Sequence, residues 1–111
     1  MSNFLGAVQR AQELLLKAYI LFGQLKGPLY KAKVSDLIGT NYGYMGSPKE
    51  SLKFYMEALT IAKNHKDSLL LSTISSNLGI YHRKVNPSIA INYYKKSLSY
   101  IPKGRKCLDR I

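Results

Sequence analysis

Few side chains in this sequence have types and spacings that could do chemistry, and only the cations are grouped. Residues 81–111 hold Arg83, Lys84, Lys95, Lys96, Lys103, Arg105, Lys106 and Arg110 against a single acid, Asp109. Clustered cations attract phosphate or carboxylate and ask little else of a fold. This end therefore suits nucleic acid or an acidic polypeptide without choosing between them. The basic patch proper is Lys95, Lys96, Lys103, Arg105, Lys106 and Arg110. His65 and His82 lie seventeen residues apart with no metal-ligand companion in sequence. No Gly-x-Ser-x-Gly motif occurs, and no pair of carboxylates is set for general acid-base work. Gly39, Gly43 and Gly46 fall inside or at the end of a helix, not in a phosphate-cradling loop. Cys107, the one thiol, excludes an intrachain disulfide framework and a cysteine-rich zinc site. These residues point away from an enzyme and imply no metal and no cofactor.

The length, 111 residues, allows one domain at most. Hydrophobic residues make up 46% and charged residues 21%, which fits a soluble globular chain and excludes a disordered one. The formal charge of +11 divides as +3 over residues 1–40, +1 over 41–80 and +7 over 81–111. Ser2 to Gln12 is too polar for a signal-peptide core. The apolar run Leu14 to Phe22 is interrupted by Lys17 and is far too short to span a bilayer. A cytoplasmic protein without a membrane partner is expected.

The elements that position these residues read as five helices. Residues 3–26 carry Leu14, Leu15, Ala18, Leu21, Phe22 and Leu25 at three- and four-residue spacing, one apolar stripe. Gly27-Pro28 ends that helix and starts a second over 28–44, with Leu29, Ala32, Leu37, Ile38 and Tyr42 inward. Ser47, Pro48 and Glu50 spell a capping box ahead of a third helix over 48–65, which buries Leu52, Tyr55, Leu59 and Ile61. Asp67 caps a fourth over 68–84. Asn86-Pro87 starts a fifth, which Pro102 and Gly104 stop after Tyr100. No segment alternates like a strand, so the fold is all-α.

The stretch from Lys66 to Pro102 has a weaker copy forty residues earlier. Gly39 and Gly79 each sit mid-helix, where glycine costs about 1 kcal/mol relative to alanine. A recurring mid-helix glycine suggests the close approach of another helix. Ser51 and Ala90, on the following helices, are placed to face the two glycines, with Tyr55 and Tyr94 one turn further along. The first copy reads Ile38-Gly39-x-x-Tyr42, Ser51-x-x-x-Tyr55 and Ala58-Leu59. The second reads Leu78-Gly79, Ala90-x-x-x-Tyr94, Ser97-Leu98 and Pro102. This pattern resembles the tetratricopeptide repeat, in a long variety with a period near forty residues.

The resemblance implies an α-α superhelix, a solenoid of about five antiparallel helices. It would comprise a half repeat over 3–26, repeats over 28–65 and 67–101, and a basic tail or the start of a further repeat over 103–111. Ser35 and Ser75 depart from the family by standing where a large side chain is usual, and His82 departs by replacing an aromatic. A stack of this kind needs both ends covered. Ile89, Tyr93 and Ile101 are then expected to be partly exposed, which suits a piece of a longer solenoid or self-association through the terminal helix.

In this family the first helix of each pair lines a groove that holds an extended peptide or a partner helix. That places Lys33, Asp36, Leu37, Thr40 and Tyr44 in the groove from the second helix. The fourth helix would supply Thr73, Ser76, Asn77, Ile80, Arg83 and Lys84. Asn77 can donate to and accept from a peptide backbone at once, and Lys33, Arg83 and Lys84 can hold a carboxylate. The function implied is a protein–protein interaction module or scaffold with an acidic partner, or the sensor and regulatory part of a larger protein. Nucleic-acid binding through the basic C-terminal third is the alternative.

Overall fold

In a computed structural model, which describes residues 2–25 and 27–101, five α-helices follow one another and no strand occurs among the described residues. They are α1 (Ser2–Gln24), α2 (Pro28–Tyr44), α3 (Pro48–Asn64), α4 (Ser68–His82) and α5 (Pro87–Tyr100). The tail from Pro102 onward, including the stop expected at Pro102 and Gly104, lies outside the described residues. The sequence suggests one repeat domain over 1–102. Within the chain the helices group into two compact units, Met1–His65 and Lys66–Ile111.

The helix boundaries follow from local chemistry. Pro28, Pro48 and Pro87 each open a helix, where a missing N–H costs nothing. The Asp67 carboxylate accepts from the Leu70 N–H at 3.0 Å, and the Asn86 side-chain oxygen accepts from the Ile89 N–H at 3.3 Å. The capping box at Ser47 does not form, and the Ser47 side chain makes no cap bond. Its backbone N–H already donates to the Tyr42 carbonyl at 2.9 Å, which removes the donor that Glu50 would have taken. Gly46 adopts φ +76° and its N–H donates to the Gly43 carbonyl, so α2 closes in a Schellman turn built on a left-handed glycine. Lys66 takes the same left-handed role after α3, at φ 52°, without a glycine's freedom. Gly27 is not left-handed. At φ −104° it serves as the N-cap of α2, its carbonyl accepting from the Lys31 N–H. Ile101 is extended, the backbone that a residue before proline favours.

In the first unit α2 packs between α1 and α3. Ala32, Ile38, Ala58 and Ala62 are wholly buried there, with Tyr55 and Leu59 nearly so. The inward face of α1 differs from the stripe expected. Val8 and Gln12 are buried and Leu15, Tyr19 and Phe22 half-buried, while Leu14, Leu21 and Leu25 are exposed. Apolar residues run around much of this helix, and α1 meets a neighbour on one side only, so the sequence alone left its direction open. Leu37 likewise turns out to be exposed rather than inward. In the second unit Ile74 and Leu78 of α4 are wholly buried, and Ala90 and Ser97 of α5 face them from the buried side.

The two helix pairs share one contact. A Cβ on Gly39 would lie 2.9 Å from the Tyr55 ring and 3.0 Å from the Ser51 carbonyl, and the Ser51 hydroxyl donates to the Gly39 carbonyl at 2.7 Å. A Cβ on Gly79 would lie 2.6 Å from the Tyr94 ring. The ring pair beside this contact repeats as well. Tyr42 stacks on Phe54 at 5.7 Å, and His82 stacks on Tyr93 at 5.6 Å. His82, a departure in sequence, thus occupies the aromatic's place.

Two outcomes follow from this packing. Gly39→Ala gains about 1 kcal/mol of helix propensity but forces a buried tyrosine and a backbone carbonyl apart, at a cost of about 1–3 kcal/mol. Denaturant unfolding should show net destabilisation. Gly79→Ala should be closer to neutral, because the half-buried Tyr94 ring can swing aside. The second outcome concerns Gln12. Its Nε2 reaches the Ile38 carbonyl at 3.4 Å, while its buried Oε1 finds no partner among the described residues. Gln12→Met removes that orphan acceptor and should raise stability by about 1 kcal/mol, read as a higher thermal midpoint.

Candidate functional site

Four positions singled out on α2 recur on α4 at a spacing of forty, with different side chains: Lys33 and Thr73, Asp36 and Ser76, Leu37 and Asn77, Thr40 and Ile80; the counterpart of Tyr44, Lys84, falls beyond the end of α4. Lys33, Leu37 and Tyr44 lie on the exposed side of α2. The Lys33 ammonium stands 5.4 Å from the centre of the exposed Tyr30 ring, and Tyr44 meets Phe4 of α1 edge to face at 5.4 Å. Asp36 is different. At 7% exposure it belongs to the packing and offers a peptide almost no surface. Thr40 is half-buried, its hydroxyl bonded to the Asp36 carbonyl at 3.1 Å and paired with the Tyr55 hydroxyl at 2.7 Å. Burial raises the Tyr55 phenol above its ordinary range, and the hydrogen bond shared with Thr40 offsets part of that rise.

On α4, Thr73 and Ile80 are exposed, and Ser76 and Asn77 are half-buried. Thr73 returns its hydroxyl to the Leu69 carbonyl, and Ser76 turns toward α5, where its hydroxyl pairs with that of Ser97 at 2.9 Å. Arg83 and Lys84 are exposed but follow the end of α4 at His82, so they stand on the turn and not on the helix face. Of the basic patch, Lys95 and Lys96 are exposed on α5, with the Lys96 ammonium 5.8 Å from the Tyr93 ring centre. Lys103, Arg105, Lys106 and Arg110 lie outside the described residues.

Two polar clusters escaped the sequence reading. Glu57 of α3 accepts from the Tyr19 hydroxyl of α1 at 2.8 Å and from the Ser35 hydroxyl of α2 at 3.0 Å, tying three helices through one carboxylate. The Lys31 ammonium sits 4.8 Å from the Tyr19 ring centre. In the second unit the Ser72 hydroxyl donates to the Ser97 carbonyl, the Ser97 hydroxyl donates back to the Ser72 carbonyl, and Ser76 joins them. The only advance signal was the i, i+4 spacing of Ser72 and Ser76 on a face that also holds small residues. Among the described residues no three His, Cys, Asp or Glu side chains gather to hold a metal ion, and no helix is long and apolar enough to cross a membrane.

Burial, then the hydrogen bond to Glu57 and that carboxylate's charge, push the Tyr19 phenol from 10 to about 12. The fold therefore favours the protonated phenol. Its contribution to stability is full below pH 10 and is lost as pH rises through about 12. Alkaline unfolding should accordingly be shallower over that window in Tyr19→Phe, and phenolate absorbance should lose its latest-titrating component.

No family model, curated protein or solved structure matches this chain, so the reading of its surfaces rests on its own residues.

Proposed function

We propose that the chain is a protein-interaction module of tetratricopeptide type, whose helix pairs stack as a superhelix and hold a peptide or partner helix along α2 and α4. The observation that carries this reading is the repeated unit itself. A mid-helix glycine under a tyrosine, flanked by a stacked ring pair, recurs after forty residues. Each time it leaves the first helix of the pair with one exposed face. That face carries apolar anchors beside polar and cationic groups: Leu37 with Lys33 on α2, and Ile80 with Thr73 on α4. Such a mixture suits a segment whose side chains alternate between pocket and solvent. Arg83 and Lys84 beyond α4, together with the net charge of +11, favour an acidic partner and a salt-sensitive association rate. The regulatory form of this reading, in which a bound peptide tightens the stack of a larger sensor, uses the same face.

The test is binding of acidic peptides and of labelled duplex and single-stranded nucleic acid, by anisotropy at low and near-physiological salt. Ile80→Glu and Asn77→Ala should each weaken the acidic peptide about tenfold, a loss of about 1.4 kcal/mol. Charge reversal at Lys103, Arg105 and Lys106 should leave its affinity within a few-fold. Nucleic-acid binding that survives near-physiological salt and vanishes on that charge reversal would replace the groove reading with a phosphate-binding one.

A further inference from the structure

The outward face of α1 carries a pattern that the α2 and α4 faces lack. Ala7, Ala11, Leu14, Ala18, Leu21 and Leu25 fall at alternating steps of four and three, the spacing of a coiled-coil seam, and run about 27 Å along α1 and the residue that follows it, whose N–H still donates to the Leu21 carbonyl. The residues one step beyond the seam, Val8, Leu15 and Phe22, turn toward α2 and are buried or half-buried. The seam's leucines are exposed, Leu14 by 67%, Leu21 by 50% and Leu25 by 66%, as is Ala7, while Ala11 and Ala18 are half-buried along its inner edge. Three exposed leucines in register are unusual on a helix that has already covered its inner face.

The order of small and large residues selects the occupant. If the seam is laid against a copy of itself running the other way, with the two-fold axis near residue 16, Ala7 meets Leu25, Ala11 meets Leu21, and Leu14 meets Ala18. Every layer then pairs one alanine with one leucine. Packing of this kind needs no second sequence, since a two-fold interface is self-complementary by construction. The alanines let the helices approach closely while each leucine fills the space opposite. A parallel copy would set leucine on leucine in three layers and alanine on alanine in the other three, some crowded and some empty. The basic tail is a poor occupant, because it would bring more cations beside the exposed Arg10 and Lys17 at the seam's edge. We propose that α1 is a dimerisation element, pairing antiparallel with α1 of a second copy through this alanine–leucine seam. The proposal does not rest on the reading of the α2 and α4 faces.

One feature works against the dimer and gives it a signature. Lys17 flanks the seam close to the two-fold axis, so the two copies bring their Lys17 ammonium groups toward each other. Dimerisation of this basic chain should therefore tighten as salt screens the repulsion, whereas capture of an acidic partner would weaken.

Sedimentation velocity of the whole chain, under reducing conditions to exclude Cys107 cross-links, tests the proposal. A monomer–dimer equilibrium with a midpoint of about 10–100 µM is expected for an interface of three heptads, strengthened by added salt. Leu14→Gln with Leu21→Gln should abolish the dimer and leave the helical circular dichroism unchanged, because both side chains are exposed within one copy. Lys17→Gln should tighten it several-fold. A chain that stays monomeric up to about 1 mM would overturn the proposal. So would a dimer that survives the double substitution, which would place the interface elsewhere. A three-heptad peptide with leucine seams and glutamate flanks that binds the seam of an otherwise monomeric chain would overturn it in favour of an acidic partner.

Discussion

Helices α2 and α3, and again α4 and α5, approach until a tyrosine ring lies over the bare backbone of a glycine. Most other features of each unit depend on that approach. With Gly39 under Tyr55, the helices are close enough for the Ser51 hydroxyl to reach the Gly39 carbonyl and for Thr40 to meet the Tyr55 hydroxyl. The same closeness brings Tyr42 into a stack on Phe54, and His82 into a stack on Tyr93. A methyl group in place of either glycine hydrogen would set the scale of the gap. The cost of a glycine in mid-helix is offset by contacts that only a glycine permits.

Beyond that shared contact the two units are held differently. The first is tied by a carboxylate: Glu57 accepts from both Tyr19 and Ser35, so α1, α2 and α3 meet at one charge. Hydrogen bonds to an ionised group are stronger than neutral ones, and this one joins residues far apart in sequence. The second unit joins two helices among the described residues and uses hydroxyls, with Ser72, Ser76 and Ser97 exchanging bonds among themselves and the backbone. Ser35 and Ser75 are both fully buried. In the first unit the room left by Ser35 admits the Glu57 carboxylate.

What could be read from the sequence divides along the same line. Helix starts were legible because proline, aspartate and asparagine act within four residues of themselves, and Pro28, Pro48, Asp67, Asn86 and Pro87 all behave as their chemistry requires. The glycine contacts were legible because the pattern occurs twice. The capping box at Ser47 was not, since the Schellman turn that closes α2 had claimed the Ser47 N–H. That competition is between two helices and is invisible in a four-residue motif. The direction of α1 was open for a related reason. Both Val8–Gln12–Leu15–Tyr19–Phe22 and Ala7–Leu14–Leu21–Leu25 are good helical stripes, and only the neighbour decides which is inside. Of the groove candidates, Asp36 went inward because it follows Ser35 into the packed side of α2, a matter of rotation by one residue.

The charge distribution bears on how these surfaces can work together. Cations on the described helices sit mostly at edges: Lys33 beside Tyr30, Lys31 beside Tyr19, and Lys96 beside Tyr93, each within 6 Å of a ring centre. A lysine so placed gains from the ring's negative face and keeps its stem over apolar surface. Such lysines cover part of the half-buried Tyr19 and Tyr93 rings, whereas Tyr30 stays exposed beside Lys33. The seam on α1 has no such cover over its leucines. Its cations stand to one side of the apolar stripe. Exposed leucines occur elsewhere too, at Leu37, Leu69 and Leu98, but those of α1 fall in one register with alanines among them, and that spacing is what fits a second helix.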